Sequence, residues 1–218
     1  MTADTHVPIA GYQVEAPALR GRLGPILRAV RSTDATAVVV HVVAVPLPGP
    51  VCQRVVAEAR ERVGILPDHV VPLLDAGLDA GGRPYLVTPW LPAGSLAERL
   101  GTTGPMAVPA AMRAGVEAAQ GLAELHRRGS VHGRVTPANL LADADGTVSV
   151  TGAVLPTLAG LVEPGPFDPP EGPGTPAADV YALAATIVTL IVGTPPRPDH
   201  VPDHPDLSVA ARGVLGCA

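Results

Sequence analysis

The chain has 218 residues, of which 47% are hydrophobic and only 2% are aromatic, so it can bury a core built mainly from aliphatic side chains. All fifteen basic residues are arginine, and the lack of lysine excludes any mechanism that needs a side-chain amine. The net charge of −5 without a basic block argues against nucleic acid and against an anionic membrane surface as partners.

The cysteine usage and the apolar runs indicate a cytoplasmic protein. Cys52 and Cys217 are far apart and have no metal-like spacing, which is typical of a reducing compartment. The N-terminus lacks the basic region and apolar stretch of a signal peptide. The longest apolar run, 180–192, is too short to span a bilayer, so we expect no membrane span.

The first part of the chain is predicted to be rich in strands. Residues 11–30 predict a strand, a glycine-bearing turn and a second strand over 19–29, and the β-branched run at 36–45 is the strongest strand signal. A helical pattern follows at 51–63. Two further strands are predicted at 70–74 and 84–88, joined by a turn at 79–82.

The later part of the chain is predicted to be mainly helical. The pattern predicts a short helix opened by residues 94–96 and a long helix over 108–128 that ends at Gly129. A hairpin of 140–141 and 148–151 around a turn at 143–146 follows, and then a loop at 152–178. The last predicted elements are an apolar helix at 180–192 capped by Asp179, an irregular stretch at 194–207 and a helix at 207–217. Strands followed by helices favour an α+β protein with two lobes.

Residues 131–141 resemble the catalytic loop of Ser/Thr protein kinases, whose pattern is H-R-D-x-x-x-x-N followed by an apolar pair. Three more segments follow the same order: 75–96 resembles the segment leading into the hinge, 170–171 the end of an A-P-E motif, and 179–183 the start of the long central helix. The chain therefore resembles the actinobacterial type of Ser/Thr protein kinase.

The resemblance implies an α+β, protein kinase-like two-lobed fold, with a small β-rich N-lobe and a helical C-lobe that lacks some late helices. It divides the chain into an N-terminal tail, an N-lobe, a hinge and a shortened C-lobe, at 1–10, 11–88, 89–92 and 93–218 respectively.

The catalytic-loop segment keeps the structural residues of the kinase pattern but lacks its catalytic residues. His132 and Asn139 match the family, but Gly133 replaces its arginine, Arg134 its catalytic aspartate and Thr136 its lysine. Because the pKa of an arginine lies far above neutrality, Arg134 cannot accept a proton from a substrate hydroxyl.

Two other demanding positions are altered in the same way. His41 stands where the family has the phosphate-clamping lysine, and Gly152, Ala153 and Val154 occupy the DFG positions, so the main Mg²⁺ carboxylate is missing. Glu58 keeps the place of the helix-C glutamate. Without a lysine partner, we expect Glu58 to be solvated and paired with Arg62 one helical turn later.

Scaffolding positions are retained. The resemblance implies that His132 and Asp179 hold the catalytic loop on the central helix, and it gives structural roles to Glu58 and Glu171 as well. A nucleotide would contact residues of the glycine-bearing turn, of the strands and of the hinge, namely Leu19, Gly21, Gly24, Ile26, Val39, His41, Thr88, Pro89, Leu91 and Leu141. For Gly21 and Gly24, an ordinary β-turn is the alternative to phosphate contact.

Two further patterns are weighed. His200 and His204 have the spacing of a helical metal pair, but the prolines around them favour a solvated loop, so no metal site is predicted. Thr157 and Thr175 fall in the segment that matches the activation loop and are candidates for phosphorylation by another kinase.

The resulting hypothesis is a pseudokinase that works as a protein-binding scaffold or regulator, with an active kinase or a signalling protein as its partner and no cofactor. One alternative is a sensor that binds ATP or ADP without Mg²⁺. A second alternative is a residual or unconventional Ser/Thr phosphotransferase that uses Asp143, Asp145 or Glu171. A third alternative is that the gene product has no function.

Overall fold

The computed structural model describes residues 8–21, 23–65, 67–153, 155–161 and 165–196. They form two compact units that interleave along the chain. Within the described ranges, the first unit holds residues up to 65, 72–90 and 155–161, and the second holds 67–71, 91–153 and 165–196.

The first unit is an antiparallel sheet of five strands with one helix. Its elements are β1 (Tyr12–Arg20), β2 (Pro25–Arg31), β3 (Ala37–Val42), α1 (Gly49–Arg60), β4 (Asp75–Leu78) and β5 (Pro84–Pro89). The strand order is β1-β2-β3-β5-β4. In β3 the buried residues Val38, Val40 and Val42 alternate with less buried ones, as expected of a strand with one face on the core. A short 3-10 helix, Pro156–Leu161, belongs to the same unit.

The second unit is mainly helical. Its elements are α2 (Leu96–Thr103), α3 (Val108–Arg127), a 3-10 turn (Pro137–Asn139), the hairpin β6 (Leu140–Ala142) and β7 (Val148–Val150), and α4 (Pro176–Val192). Small residues on α3 allow close packing on both sides. A Cβ atom on Gly115 would lie 2.5 Å from Ile187 Cδ1, and one on Gly121 would lie 2.3 Å from the carbonyl oxygen of His69.

The α+β class predicted from the sequence is confirmed, with the sheet first and the helices later. The predicted strands at 36–45 and 84–88, the short helix opened by residues 94–96, the long helix at 108–128 and the hairpin at 140–151 are all present within a few residues. No helix in the described part of the chain is long and apolar enough to cross a membrane.

The predicted strand at 70–74 is wrong, since the strand lies at 75–78. Val70 forms an isolated bridge with Val150, and the Val71 N–H donates to the Val150 carbonyl. These two residues therefore pair with strand β7 of the second unit and not with β5. The second strand also begins at Pro25 rather than at residue 19, because residues 19 and 20 still belong to β1.

The N-cap of α4 is Thr175, not Asp179 as the sequence predicted. The Thr175 hydroxyl oxygen accepts the Ala178 N–H at 3.0 Å, and Pro176 occupies the first helical position, where its missing N–H costs nothing. Asp179 lies one turn inside the helix. The predicted loop at 152–178 contains the 3-10 helix at 156–161, and the predicted last helix at 207–217 lies outside the described residues.

Candidate functional site

Strand β3 carries His41 where the resemblance expects the lysine. The His41 Nε2 lies 3.3 Å from Thr88 Oγ1 on the neighbouring strand β5. Burial lowers the pKa of His41 to about 4, so the imidazole is neutral at pH 7. A neutral ring that is hydrogen-bonded to a hydroxyl supplies no positive charge to a phosphate.

Glu58 on α1 binds residues of the 3-10 helix in the same unit. Its Oε1 accepts the Thr157 hydroxyl at 2.5 Å and its Oε2 accepts the Thr157 backbone N–H at 3.1 Å. The expectation of a solvated Glu58 is therefore wrong, because Glu58 is half-buried. Its charge attracts that of Arg62, but among the described residues no salt bridge joins the two side chains. The specific contact with Thr157 outweighs the weak attraction expected along an exposed helix face.

Backbone hydrogen bonds hold the connection between β1 and β2. The Gly24 N–H donates to the Gly21 carbonyl at 3.3 Å, and the Ala44 N–H donates to the Leu23 carbonyl at 2.7 Å. A Cβ atom on Gly24 would lie 2.2 Å from the Val42 carbonyl oxygen. Only glycine fits this approach, so packing against β3 is sufficient to explain Gly24, and the geometry favours the ordinary turn.

The remaining candidate nucleotide contacts are divided between the two units. Thr88 pairs with Val39 across the sheet, and its hydroxyl is engaged by His41. The first unit holds the backbone of Leu19, which pairs with Ile26, and also Gly21, Gly24, Val39, His41, Thr88 and Pro89, whereas Leu91 and Leu141 belong to the second. A nucleotide site that combines these residues stays a prediction.

Asp179 organises the catalytic-loop region of the second unit. Its side chain is 1% exposed. Oδ1 accepts the Gly133 N–H at 2.8 Å, and Oδ2 accepts the His132 N–H at 2.7 Å. His126 Nε2, at the end of α3, lies 2.8 Å from the same Oδ2. Two backbone N–H groups and the His126 ring therefore stabilise one buried carboxylate, which fixes the loop to both α3 and α4.

His132 is fully buried and hydrogen-bonded through both ring nitrogens. Its Nε2 lies 2.9 Å from the Thr151 carbonyl oxygen, to which it donates, and its Nδ1 accepts the Arg134 N–H at 3.2 Å. Burial lowers the pKa of His132. The ring is therefore neutral at pH 7 with its proton on Nε2, and it ties the loop to the residue that precedes Gly152.

Asn139 and Gly152 occupy the positions at which the family binds metal. The Asn139 Nδ2 donates to the Arg134 carbonyl at 2.9 Å, and the Asn139 N–H donates to the Thr136 carbonyl at 2.9 Å. Gly152 has φ +74° and offers no carboxylate, and the next residue is Ala153. Val154 lies outside the described residues. Arg134 presents a guanidinium where a base is needed.

The carboxylates considered as substitutes have other surroundings. The Asp143 Oδ1 accepts the N–H groups of Asp145 at 3.0 Å and of Thr147 at 2.9 Å, so it builds the turn of the hairpin. Asp145 and Glu171 are exposed.

The structure bears differently on the histidine pair considered as a metal site and on the two threonines considered as phosphorylation sites. Within the described ranges, no group of three His, Cys, Asp or Glu residues could hold a metal ion, and His200 and His204 lie outside those ranges. Thr157 binds Glu58 and Thr175 caps α4. Phosphorylation of either threonine stays a prediction.

Two contacts were missed by the sequence reasoning. The link from His126 to Asp179 spans 53 residues, and the link from Thr157 to Glu58 spans 99. The spacing of residues along one helix gives no signal for either contact. The only usable hint was the position of Glu58 and Thr157 in segments that match the kinase pattern.

Comparison with known proteins gives consistent matches. The family model for protein tyrosine and serine/threonine kinases matches residues 19–159. The chain is 31% identical over 198 residues to the serine/threonine-protein kinase PknK of Mycobacterium bovis, covering 84% of this chain and 18% of that protein. It is 32% identical over 155 residues to PknL of Mycobacterium tuberculosis, covering 64% of this chain and 38% of that protein.

A third relative gives the same picture. PknB of Mycobacterium leprae is 27% identical over 174 residues, which are 72% of this chain and 27% of PknB. The chain thus spans less than two-fifths of the length of each of these relatives. The predicted kinase-like fold and its actinobacterial type are confirmed by these matches.

Proposed function

The chain belongs to the protein tyrosine and serine/threonine kinase family, and on that premise we propose that it is a member without phosphotransfer activity that acts by binding proteins. The observation that carries the proposal is the catalytic loop. Its framework is held by hydrogen bonds to Asp179 and Asn139, while the position of the base is occupied by Arg134.

The chemical argument concerns what phosphoryl transfer requires. The reaction is catalysed by positioning and by positive charge around the phosphates, with a carboxylate that orients the nucleophile and others that hold Mg²⁺. At these positions His41 supplies no charge to the phosphates, and Arg134 and Gly152 supply no carboxylate. Removing a single group of this kind costs about 10²–10³ in rate, and three such losses leave little transition-state stabilisation.

A direct assay tests the loss of activity. Purified protein is incubated with γ-labelled ATP and either Mg²⁺ or Mn²⁺, and labelling of the chain and of casein is measured. We expect no incorporation above that of a heat-denatured sample. Incorporation that disappears in the Asp143→Asn or Glu171→Gln variant would instead support an unconventional phosphotransferase.

A triple variant serves as the matched control. Substituting His41→Lys, Arg134→Asp and Gly152→Asp returns the lysine and the two carboxylates that the family pattern contains. Incorporation by this variant, together with none by the natural chain, would assign the inactivity to these three positions. Activity of the natural chain would refute the proposal.

Nucleotide binding without a metal is the second candidate, and the half-buried apolar residues Ile26 and Val39 of the first unit support it. Such contacts suit an adenine ring and do not need phosphate ligands. A thermal-shift titration with ATP and ADP, in Mg²⁺ and in EDTA, tests it. A saturable rise in Tm that persists in EDTA would support the sensor, whereas a rise that needs Mg²⁺ would reopen catalysis.

The partner we propose is a protein, an active kinase or another signalling protein, and the setting we propose is the cytoplasm. The relatives are named serine/threonine-protein kinases and are much longer than this chain. Affinity capture with the natural chain, using the Asp179→Asn variant as a control for a disturbed loop, would identify proteins that require the intact framework.

A further inference from the structure

A single threonine bridges two distant segments of the first unit. The Thr157 hydroxyl donates to Glu58 Oε1 at 2.5 Å, and the Thr157 N–H donates to Glu58 Oε2 at 3.1 Å. Both oxygens of the Glu58 carboxylate are therefore engaged by one residue. Hydrogen bonds to an ionised carboxylate are stronger than those between neutral groups, and these two share one acceptor group, so they are made or lost together.

The segment that carries Thr157 depends on such contacts. Residues 156–161 form a 3-10 helix, which has poorer internal hydrogen bonds than an α-helix and is used in short pieces. The Leu158 N–H donates to the Leu155 carbonyl at 2.8 Å. Leu155 and Leu158 are 3% and 2% exposed, whereas Leu161 at the end of the segment is 45% exposed.

Thr157 is the main partner of Glu58. The charge of Arg62, two residues beyond the end of α1, attracts that of Glu58, but among the described residues no salt bridge joins the two side chains. The Thr157 hydroxyl and N–H are the hydrogen-bond donors to Glu58 in the described part of the chain.

We propose that Glu58 and Thr157 form a latch that holds residues 155–161 on the first unit, and that opening this latch frees the segment and uncovers Leu155 and Leu158. The two hydrogen bonds and the two buried leucines act at neighbouring positions of one short helix. Local opening of such an element proceeds as a unit, separately from the sheet. The inference goes beyond the proposed function and does not depend on whether the domain binds a partner.

Hydrogen exchange of the intact chain, followed by mass spectrometry, tests the latch. The variants are Glu58→Gln and Thr157→Val, and Glu61→Gln at the C-cap of α1 is the control, because Glu61 is exposed and no hydrogen bond joins it to Thr157 in the described residues. We expect exchange of the backbone amides of residues 155 and 157–161 to rise at least tenfold in the first two variants and to stay unchanged in the control. Amides of β3 should keep their protection in all three.

Two further variants at Thr157 keep the test decisive if Glu58→Gln does not fold. Thr157→Ser retains the hydroxyl donor and should remain as protected as the natural chain. Thr157→Asp places a second carboxylate against Glu58 and should exchange at least as fast as Thr157→Val. Natural protection in Thr157→Val, or exchange of Thr157→Ser as fast as that of Thr157→Val, would overturn the proposal.

Discussion

Asn139 and Gly152 lie in direct apposition in the catalytic-loop region: a Cβ atom on Gly152 would stand 3.2 Å from Asn139 Oδ1. The Asn139 side chain is held in place, since its Nδ2 donates to the Arg134 carbonyl. The position of the missing metal carboxylate is thus bordered by a fixed amide, and the backbone at Gly152 has a left-handed conformation.

Substitution of Gly152 is expected to depend on how well the new residue tolerates φ +74°. Gly152→Ala should lower the free energy of unfolding by about 1 kcal/mol, because a Cβ atom is disfavoured in the left-handed region. Gly152→Asn should cost less, since asparagine visits this region more readily. Urea unfolding measures both, and equal losses would contradict the argument from backbone conformation.

Removing the charge of Asp179 should destabilise the chain strongly. The carboxylate accepts three donors in a buried site, and the amide of Asp179→Asn would place an NH₂ group against at least one of them. We expect a loss of about 3 kcal/mol in the free energy of unfolding. Asp145→Asn, at an exposed position, should change it by no more than about 0.5 kcal/mol. Similar values for the two variants would argue against this role of Asp179.

Stability should fall in acid because His41 and His132, whose pKa values are lowered, resist protonation. The pKa of His41 is about 4 when folded and 6.5 when unfolded, so below pH 6.5 the unfolded state takes up a proton that the folded state does not. The free energy of unfolding therefore decreases from pH 6.5 to 4, by at most about 3 kcal/mol for His41. Burial also lowers the pKa of His132, which acts in the same direction.

The variant His41→Gln isolates the first contribution. Its side chain does not titrate in this range and can keep a hydrogen bond to Thr88, so the decrease between pH 6.5 and 4 should be smaller than in the natural chain. Chemical unfolding at several pH values gives the comparison. Parallel pH profiles for the two proteins would show that His41 is not protected from protonation.

Two helical glycines should respond in opposite ways to alanine. Gly121→Ala would force a Cβ atom to 2.3 Å from the His69 carbonyl oxygen, which is itself fixed by the Val150 N–H. We expect a loss of about 2 kcal/mol or more. Gly101 in α2 has nothing within 4 Å of its Cβ position, so Gly101→Ala should gain about 0.5 kcal/mol through helix propensity.

Thermal and urea unfolding of these two variants check the contrast. Both substitutions add the same methyl group within a helix, so the difference between them reports the packing of α3 and not the chemistry of alanine. A gain in stability for Gly121→Ala would mean that α3 does not pack against His69 as closely as described.

Local sequence signals predicted the strands and helices that have strong propensities. The β-branched run at 36–45 contains β3, and the Ser95 N-cap and Gly129 bounded α2 and α3. Strand β4 was displaced because residues 76 and 77, Ala and Gly, have low β propensity, and the strand exists through pairing with β5. The cap at Thr175 was missed because the acidic Asp179 gave a more familiar helix-start signal.

The roles of the site residues could be predicted only for positions that match a kinase motif. That resemblance placed His132 and Asp179 in one structural role, which residue spacing alone does not reveal. It also misled, since Glu58 was expected to be solvated once its lysine was gone. The contact that Glu58 makes with Thr157 depends on a tertiary arrangement across 99 residues, and no helix periodicity encodes it.

The bonds that hold the catalytic loop have an evolutionary consequence. Asp179 accepts from the backbone N–H groups of residues 132 and 133, and Asn139 donates to the backbone carbonyl of residue 134. Every residue except proline has both a main-chain N–H and a main-chain carbonyl. The side chains at residues 133 and 134 can therefore change in evolution without weakening these bonds, so the loop framework does not depend on whether the kinase side chains are present.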